Sequence, residues 1–232
     1  MLTYLLGLFI SFFAGAWFIF KPQKKRTWVI MFLSAGGAYL ITILFTHILP
    51  ELFEVLGHQA GIVLLIGFLV QIFLENYSKG VEHGHAHAVQ SKTALIITYA
   101  ALCVHALIEG MPLASALFDS VIGFDQELTL GIMLHKIPVA ITLATILVKS
   151  NISKAKALLW LAGFIGCTLV GSLFQYYFGA GSVDLMFISL GLTVGILLHV
   201  STTILFESSD HHHLSPRKVM VILLGVLLGL IS

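Results

Sequence analysis

Most of this chain consists of apolar runs long enough to cross a lipid bilayer, and no other feature restricts its fold as strongly. A helix needs about 20 mostly apolar residues to span the hydrocarbon of a membrane. Runs that meet or approach this length occupy residues 2–20, 28–50, 60–77, 94–117, 127–148, 156–178, 184–206 and 217–232. They do not alternate between polar and apolar residues, which favours helices over the strands of a barrel. We predict an all-α polytopic membrane protein with eight transmembrane helices, forming a single transmembrane domain over residues 1–232.

Composition supports a membrane protein. Charged residues make up only 10% of the chain and hydrophobic residues 58%, whereas charged residues are about 25% of a soluble domain. The net charge is +1 and the basic residues form no stripe, so we expect a lipid bilayer and no nucleic acid as partner. The last apolar run follows Lys218 and is the weakest of the eight, because it is shorter than a usual span.

The basic residues predict the orientation of the chain. Except for Lys136, every Lys and Arg lies in or beside one of four alternate connections, at residues 21–27, 78–93, 149–155 and 207–216. Because positive connections face the cytoplasm, both termini are expected on the outer side of a cell (inner) membrane. The opposite connections carry acidic residues and no basic ones, so a cation approaching from outside meets negative charge.

Ionisable groups interrupt the fourth and fifth apolar runs. His105 and Glu109 are four residues apart and therefore share one face of a helix, and His135 and Lys136 lie in the next run. A charged side chain at the bilayer centre costs at least about 2.5–3.5 kcal/mol, so this group indicates a functional site. Imidazole and carboxylate ligands suit Zn²⁺ and its first-row neighbours better than Ca²⁺ or Mg²⁺. The structural alternative is a hydrogen-bonded histidine beside a Glu109–Lys136 ion pair.

Two prolines follow these groups. Pro112 and Pro138 each lack the N–H that would bond the carbonyl four residues earlier, at Ile108 and Leu134. Exposed backbone polarity at membrane depth is tolerated where it lines a cavity or is buried in protein. The prolines therefore predict a pathway shared by the two helices.

Residues 46–51 (Thr-His-Ile-Leu-Pro-Glu) are similar to residues 202–207 (Thr-Thr-Ile-Leu-Phe-Glu). In the predicted topology the first copy ends at the outer side and the second at the inner side. This arrangement predicts an inverted repeat of helices 1–3 and 6–8, a common construction of secondary transporters. Polar residues in or near the two copies are candidates for the ends of a pathway: His47 and Glu51 for the entrance, His199 and Glu207 for the exit.

Histidines are also frequent on the predicted cytoplasmic side. The connection 78–93 contains His83, His85 and His87, and the connection 207–216 contains His211, His212 and His213. We interpret these imidazoles as acceptors for released metal, with a flexible polar loop as the alternative.

The fourth and fifth runs resemble motifs of the ZIP (Zrt/Irt-like) metal transporters. The string His105-Ala-Leu-Ile-Glu109-Gly is similar to His-Asn-x-Pro-Glu-Gly, and His135-Lys-Ile-Pro is similar to His-Glu-x-Pro. The resemblance extends over essentially the whole chain and suggests a bacterial-type member with a modified binuclear site. It implies a 3+2+3 fold, in which inverted repeats surround helices 4 and 5. It also implies movement of divalent metal into the cytoplasm through a site between those two helices.

The resemblance further implies which residues bind the metal. Three residues fall on positions that bind the first metal in the family: His105, Glu109 and His135. Ala106, Lys136 and Val139 replace ligands of the second metal. The Lys136 ammonium can occupy the place of that metal beside Glu109 and repel a second cation. We therefore predict a single-metal site.

These observations favour a transporter and not an enzyme. The expected substrate is Zn²⁺, with Fe²⁺, Mn²⁺, Co²⁺ and Cd²⁺ as further candidates, and a homodimer is a candidate assembly. One alternative is a membrane haem or quinone oxidoreductase that uses the intramembrane histidines, which a Soret band in the visible spectrum would reveal. The other is a transport-inactive metal sensor.

Overall fold

The computed structural model describes residues 1–21, 27–84, 89, 91–118, 126–179, 182–207 and 215–232, and every regular element among them is a helix. The helices are α1 (Leu2–Phe20), α2 (Thr27–Leu56), α3 (His58–Ser78), α4 (Lys92–Leu117), α5 (Gln126–Lys149), α6 (Lys154–Gly179), α7 (Val183–Glu207) and α8 (Pro216–Ile231). A short 3₁₀ turn, Val81–His83, follows α3. The predicted helical class is confirmed.

Seven helices, α1 to α7, are long and apolar enough to cross a membrane. The last described helix, α8, has 16 residues and is about 24 Å long, less than the roughly 30 Å of the hydrocarbon core. At its start the Ser215 side chain accepts a hydrogen bond from the Lys218 N–H and Pro216 occupies the first turn, both common at helix N-termini. The assignment of α8 as an eighth span remains a prediction.

Prolines change the helix geometry without ending the helices. The sequence predicts that the second helix ends at residue 50, but α2 continues to Leu56 through a π turn at Leu44–Ile48. Pro50 follows this turn as one of the first residues of the next α-helical segment. In α4, Pro112 lies within a 3₁₀ turn, Met111–Leu113.

The helices pack in pairs around a central α5. Helix α1 packs along α5, α3 along α7, α2 along α8 and α4 along α6. Helix α5 is buried along most of its length, whereas α3 exposes many large apolar side chains. The polar residues of α5 are therefore enclosed by the other helices.

Two glycines allow close contact between α4 and α6. A Cβ atom at Gly110 would overlap the backbone of Thr168, and one at Gly171 would overlap the backbone of Leu107. The neighbouring Ser172 hydroxyl donates to the Gly110 carbonyl over 2.7 Å. These contacts hold the helix that carries His105 and Glu109 against α6.

We expect Gly171→Ala to destabilise the fold by about 1–3 kcal/mol, because the added methyl group must push the α4 backbone away. Thermal unfolding of the detergent-solubilised protein measures the effect. Gly166→Ala is the matched control, since a Cβ at this position of the same helix meets no atom within 4 Å. Equal melting temperatures for the two variants would contradict the proposed packing.

Candidate metal site

Helices α4 and α5 bring His105, Glu109 and His135 together in the interior. The His105 Nε2 atom lies 3.0 Å and the His135 Nε2 atom 3.9 Å from the Glu109 Oε1 atom. Each of the three residues is at most 2% exposed. One ligand atom from each lies within 4.8 Å of the other two, so the three residues form a group that could hold a metal ion.

The atoms that face one another in this group are imidazole nitrogens and a carboxylate oxygen, which are common metal ligands. His105 Nε2, His135 Nε2 and Glu109 Oε1 are buried and form no hydrogen bond within the described part of the chain. Buried polar atoms normally have a partner, and exceptions indicate a bound ion or a functional role. Two imidazole nitrogens and one carboxylate oxygen match the ligands of zinc sites that leave a coordination position open.

Lys136 occupies the other side of Glu109. Its ammonium is fully buried, donates to the Glu109 Oε2 atom over 2.8 Å and lies 5.1 Å from the centre of the Phe164 ring. The two carboxylate oxygens therefore have different partners, the histidines on one side and the ammonium on the other. Ala106 and Val139 are buried and offer no ligand atom.

Gln71 is a residue of this site that our sequence reasoning missed. It lies on α3, is completely buried, and places its Oε1 atom 2.9 Å from the His105 Nδ1 atom. The signal was present, because a glutamine in the middle of an apolar run needs a polar partner at membrane depth. Its partner, however, is 34 positions away in the chain, and no local pattern identifies such a pair.

The predicted free carbonyl at Ile108 is wrong. This oxygen accepts hydrogen bonds from the Met111 N–H and from the Thr193 hydroxyl of α7, the latter over 3.0 Å. The 3₁₀ turn at Met111–Leu113 and a hydroxyl from another helix replace the bond that Pro112 removes. The Ile108 carbonyl is therefore hydrogen-bonded by other protein groups at this turn of α4.

A second group of candidate ligands joins Glu75 of α3, His83 of the 3₁₀ turn and His199 of α7. His199 Nε2 lies 2.5 Å from Glu75 Oε2, and His83 Nδ1 lies 3.3 Å from Glu75 Oε1. The ligand atoms of all three residues lie within 4.8 Å of one another. We call this set the α3–α7 group. Sequence reasoning named the two histidines but missed Glu75, which binds them together.

The alternative of a flexible polar loop at residues 78–93 does not hold for its first residues. Helix α3 continues to Ser78, and the turn Val81–His83 is buried and packs against α5. Gly80 and Gly84 flank the turn with φ of 70° and 90°, which a residue with a side chain rarely adopts. His83 is consequently an interior residue.

The other predicted pathway residues do not belong to either group of candidate ligands. His47 is exposed in the π turn of α2, 2.8 Å from the Thr46 hydroxyl through its Nδ1 atom, and Glu51 is half-buried one turn later. Glu207 is the last residue of α7, and its side chain lies outside the described part of the structure. The remaining histidines also lie outside the described residues: His85, His87, His211, His212 and His213.

This fold and these groups define a helical membrane protein with imidazole and carboxylate ligands in its interior. A family sequence profile described as ZIP Zinc transporter matches residues 76–232, which is more than half of the chain. The chain therefore belongs to the ZIP zinc transporter family, and it is an integral membrane protein. The family consists of divalent metal transporters and not of enzymes. A search of curated proteins finds no match.

Proposed function

We propose that this protein moves a divalent transition metal, with Zn²⁺ as the preferred substrate, into the cytoplasm through a single-metal site between α4 and α5. The observation that supports this proposal is the convergence of His105 Nε2, His135 Nε2 and Glu109 Oε1, all buried and without a hydrogen bond among the described residues. Three protein ligands leave the fourth tetrahedral position to water or to the path of the ion. Such open coordination suits transport, since the ion must leave as well as enter.

Lys136 supports a single metal. Its ammonium already contacts the Glu109 oxygen that a second metal would need, and Ala106 and Val139 supply no replacement. Two cations this close in a low-dielectric interior repel each other strongly.

The α3–α7 group is the proposed release site. Glu75 lies one helical turn beyond Gln71, toward the connection 78–93, which carries Lys79 and Lys92 and is therefore expected to face the cytoplasm. In this scheme metal enters past His47 and Glu51, binds at the central site, and passes to Glu75, His83 and His199. The histidines of the two cytoplasmic connections receive it last.

The complete architecture belongs to the same proposal. We propose eight spans with α8 as the last, both termini outside, and inverted repeats of α1–α3 and α6–α8 around α4 and α5. The short α8 spans by virtue of Arg217, whose long side chain can reach toward the interface, while the buried Lys218 ammonium donates to the Leu205 carbonyl of α7 over 3.0 Å. A homodimer is the proposed assembly.

Uptake by proteoliposomes that enclose a metal-sensitive fluorophore tests this function. We expect Zn²⁺ to enter fastest in a panel with Fe²⁺, Mn²⁺, Co²⁺ and Cd²⁺, and no entry into liposomes without protein. Metal binding without uptake would favour the transport-inactive sensor, an alternative to which the loss of the second-site ligands lends weight. If no metal binds to the protein and none enters the proteoliposomes, the proposal is overturned.

His199→Ala tests the release site separately. We expect uptake to slow by about tenfold or more, because a lost contact with a charged group is worth about 1.5–3 kcal/mol. Metal binding at the central site should be unchanged. His58→Ala, at the exposed start of α3, is the control and should transport like the parent. Full uptake by His199→Ala would remove the α3–α7 group from the pathway.

A further inference from the structure

Gln71 differs from the rest of α3. The helix exposes most of its apolar side chains, and its buried positions are Ala60, Gly67, Gln71, Leu74 and Ser78. The large polar amide is 0% exposed. Its Oε1 atom lies 2.9 Å from His105 Nδ1, and its Nε2 atom has no hydrogen-bond partner among the described residues. Burying a polar amide costs free energy unless it is hydrogen-bonded, and the hydrogen bond with His105 offsets this cost for the Gln71 oxygen.

The chemistry of that contact depends on the proton of His105. A neutral imidazole carries a proton on one nitrogen and a lone pair on the other, and only the nitrogen with the lone pair binds a metal. The His105 Nε2 atom faces Glu109 and His135, whereas Nδ1 faces Gln71. A carbonyl oxygen only accepts hydrogen bonds, so an amide oxygen beside Nδ1 requires the proton to be there.

We propose that Gln71 is a positioning residue of the metal site. Its amide oxygen holds the His105 proton on Nδ1 and keeps the Nε2 lone pair directed at the metal. The inference rests on the proposed function of His105 as a ligand. Ligating histidines usually donate their second N–H to a carboxylate, a carbonyl or water, and loss of that partner typically costs about 10–100-fold in metal affinity.

Glu109 makes such a partner necessary. Its Oε1 atom lies 3.0 Å from His105 Nε2, so a proton on Nε2 would be attracted by the carboxylate and would block both ligands at once. Lys136 weakens this competition, because it donates to the other oxygen of Glu109 over 2.8 Å. Gln71 and Lys136 thus act on opposite ends of the His105–Glu109 pair: Gln71 holds the proton on Nδ1, and Lys136 disfavours a proton on Nε2.

The hydrogen bond also crosses between two helix pairs. Gln71 belongs to α3, which packs mainly along α7, and His105 belongs to α4, which packs mainly along α6. A displacement of one pair relative to the other would break the bond and weaken the hold on His105. Gln71 therefore links metal affinity to the relative position of the two pairs.

Cobalt titration of the purified full-length protein tests this inference. The d–d absorbance of Co²⁺ reports its coordination. The fraction of this absorbance that is lost in His105→Ala is assigned to the central site. Gln71→Met keeps the size of the side chain but loses the amide acceptor. We expect it to weaken Co²⁺ binding at the central site by about 10–100-fold. Gln71→Glu can only accept, and should bind Co²⁺ within about threefold of the parent. Gln175→Met, at the other buried glutamine of the described helices, is the control and should bind normally.

Several results would overturn the inference. Normal Co²⁺ affinity in Gln71→Met would show that the acceptor has no effect, and equal weakening in Gln71→Glu would show that only shape matters. If Gln71→Met does not fold, Gln71→Asn is measured in its place, because its side chain is one methylene group shorter and its amide oxygen lies farther from His105. Normal Co²⁺ affinity in Gln71→Asn counts against the inference. If His105→Ala removes no cobalt signal, the proposed function itself fails, independently of Gln71.

Discussion

Glu109→Gln abolishes uptake of Zn²⁺, with an expected reduction of at least about 100-fold, since a lost charged partner in a buried site costs about 3–5 kcal/mol. Glu109 supplies the only carboxylate of the central group and contacts His105, His135 and Lys136. An amide at this position removes the negative charge that binds the metal. It also leaves the Lys136 ammonium buried without a counter-charge, so we expect the variant to be less stable.

The double variant Glu109→Gln/Lys136→Met separates the two effects. Replacing a whole buried ion pair by uncharged groups is often neutral or stabilising, so the melting temperature should return toward that of the parent. Uptake should remain abolished, because the carboxylate ligand is still absent. Glu54→Gln, at an exposed acid near the end of α2, is the matched control and should transport normally. Uptake by the stable double variant, or by a variant with His105, Glu109 and His135 all changed to Ala, would refute the site.

Lys136→Glu raises the metal content from about one to about two ions per chain at the central site, the second largest effect that we expect. The substitution removes the ammonium that donates to Glu109 Oε2 and places a second carboxylate there. Two carboxylates at this distance repel each other unless a cation lies between them. We therefore also expect the melting temperature of this variant to rise strongly when Zn²⁺ is added, because a ligand that binds only the folded state stabilises it.

Isothermal titration calorimetry measures this stoichiometry. Lys136→Met is the matched control, because it removes the same ammonium without adding a ligand, and it should keep about one ion per chain. The same number of ions in Lys136→Glu as in the parent would contradict our account of the missing second metal. A gain in Lys136→Met equal to that in Lys136→Glu would show that repulsion by the ammonium, and not the lack of a ligand, excludes the second ion.

The proximity of His105, Glu109 and His135 was predictable because these residues are close in sequence or lie at equivalent depths of consecutive helices. His105 and Glu109 meet through the periodicity of a single helix, which needs no tertiary information. His135 and Lys136 lie near the same depth in the next run. Burying such groups in lipid has a high energetic cost, and this cost indicates a functional role for them from hydropathy alone.

The partners of these residues were not predictable in the same way. Gln71, Glu75 and Thr193 each contact a residue of another helix, and each lies in a run that is apolar on every side. A soluble helix shows its inner face through a stripe of apolar residues, but a membrane helix has no such stripe. Its rotation about its own axis is decided by packing, including the close contacts at small residues.

The sequence alone therefore establishes a helical membrane protein and predicts a group of imidazole and carboxylate side chains in consecutive helices, because length, hydropathy and helix periodicity are local properties. Only the packing of helices that are distant in sequence decides the other contacts. It places the Gln71 acceptor beside His105 and joins His83 to His199 through Glu75. It also brings the Thr193 hydroxyl to the Ile108 carbonyl. These contacts depend on how each apolar helix is rotated toward its neighbours, and that rotation is a property of the assembled bundle.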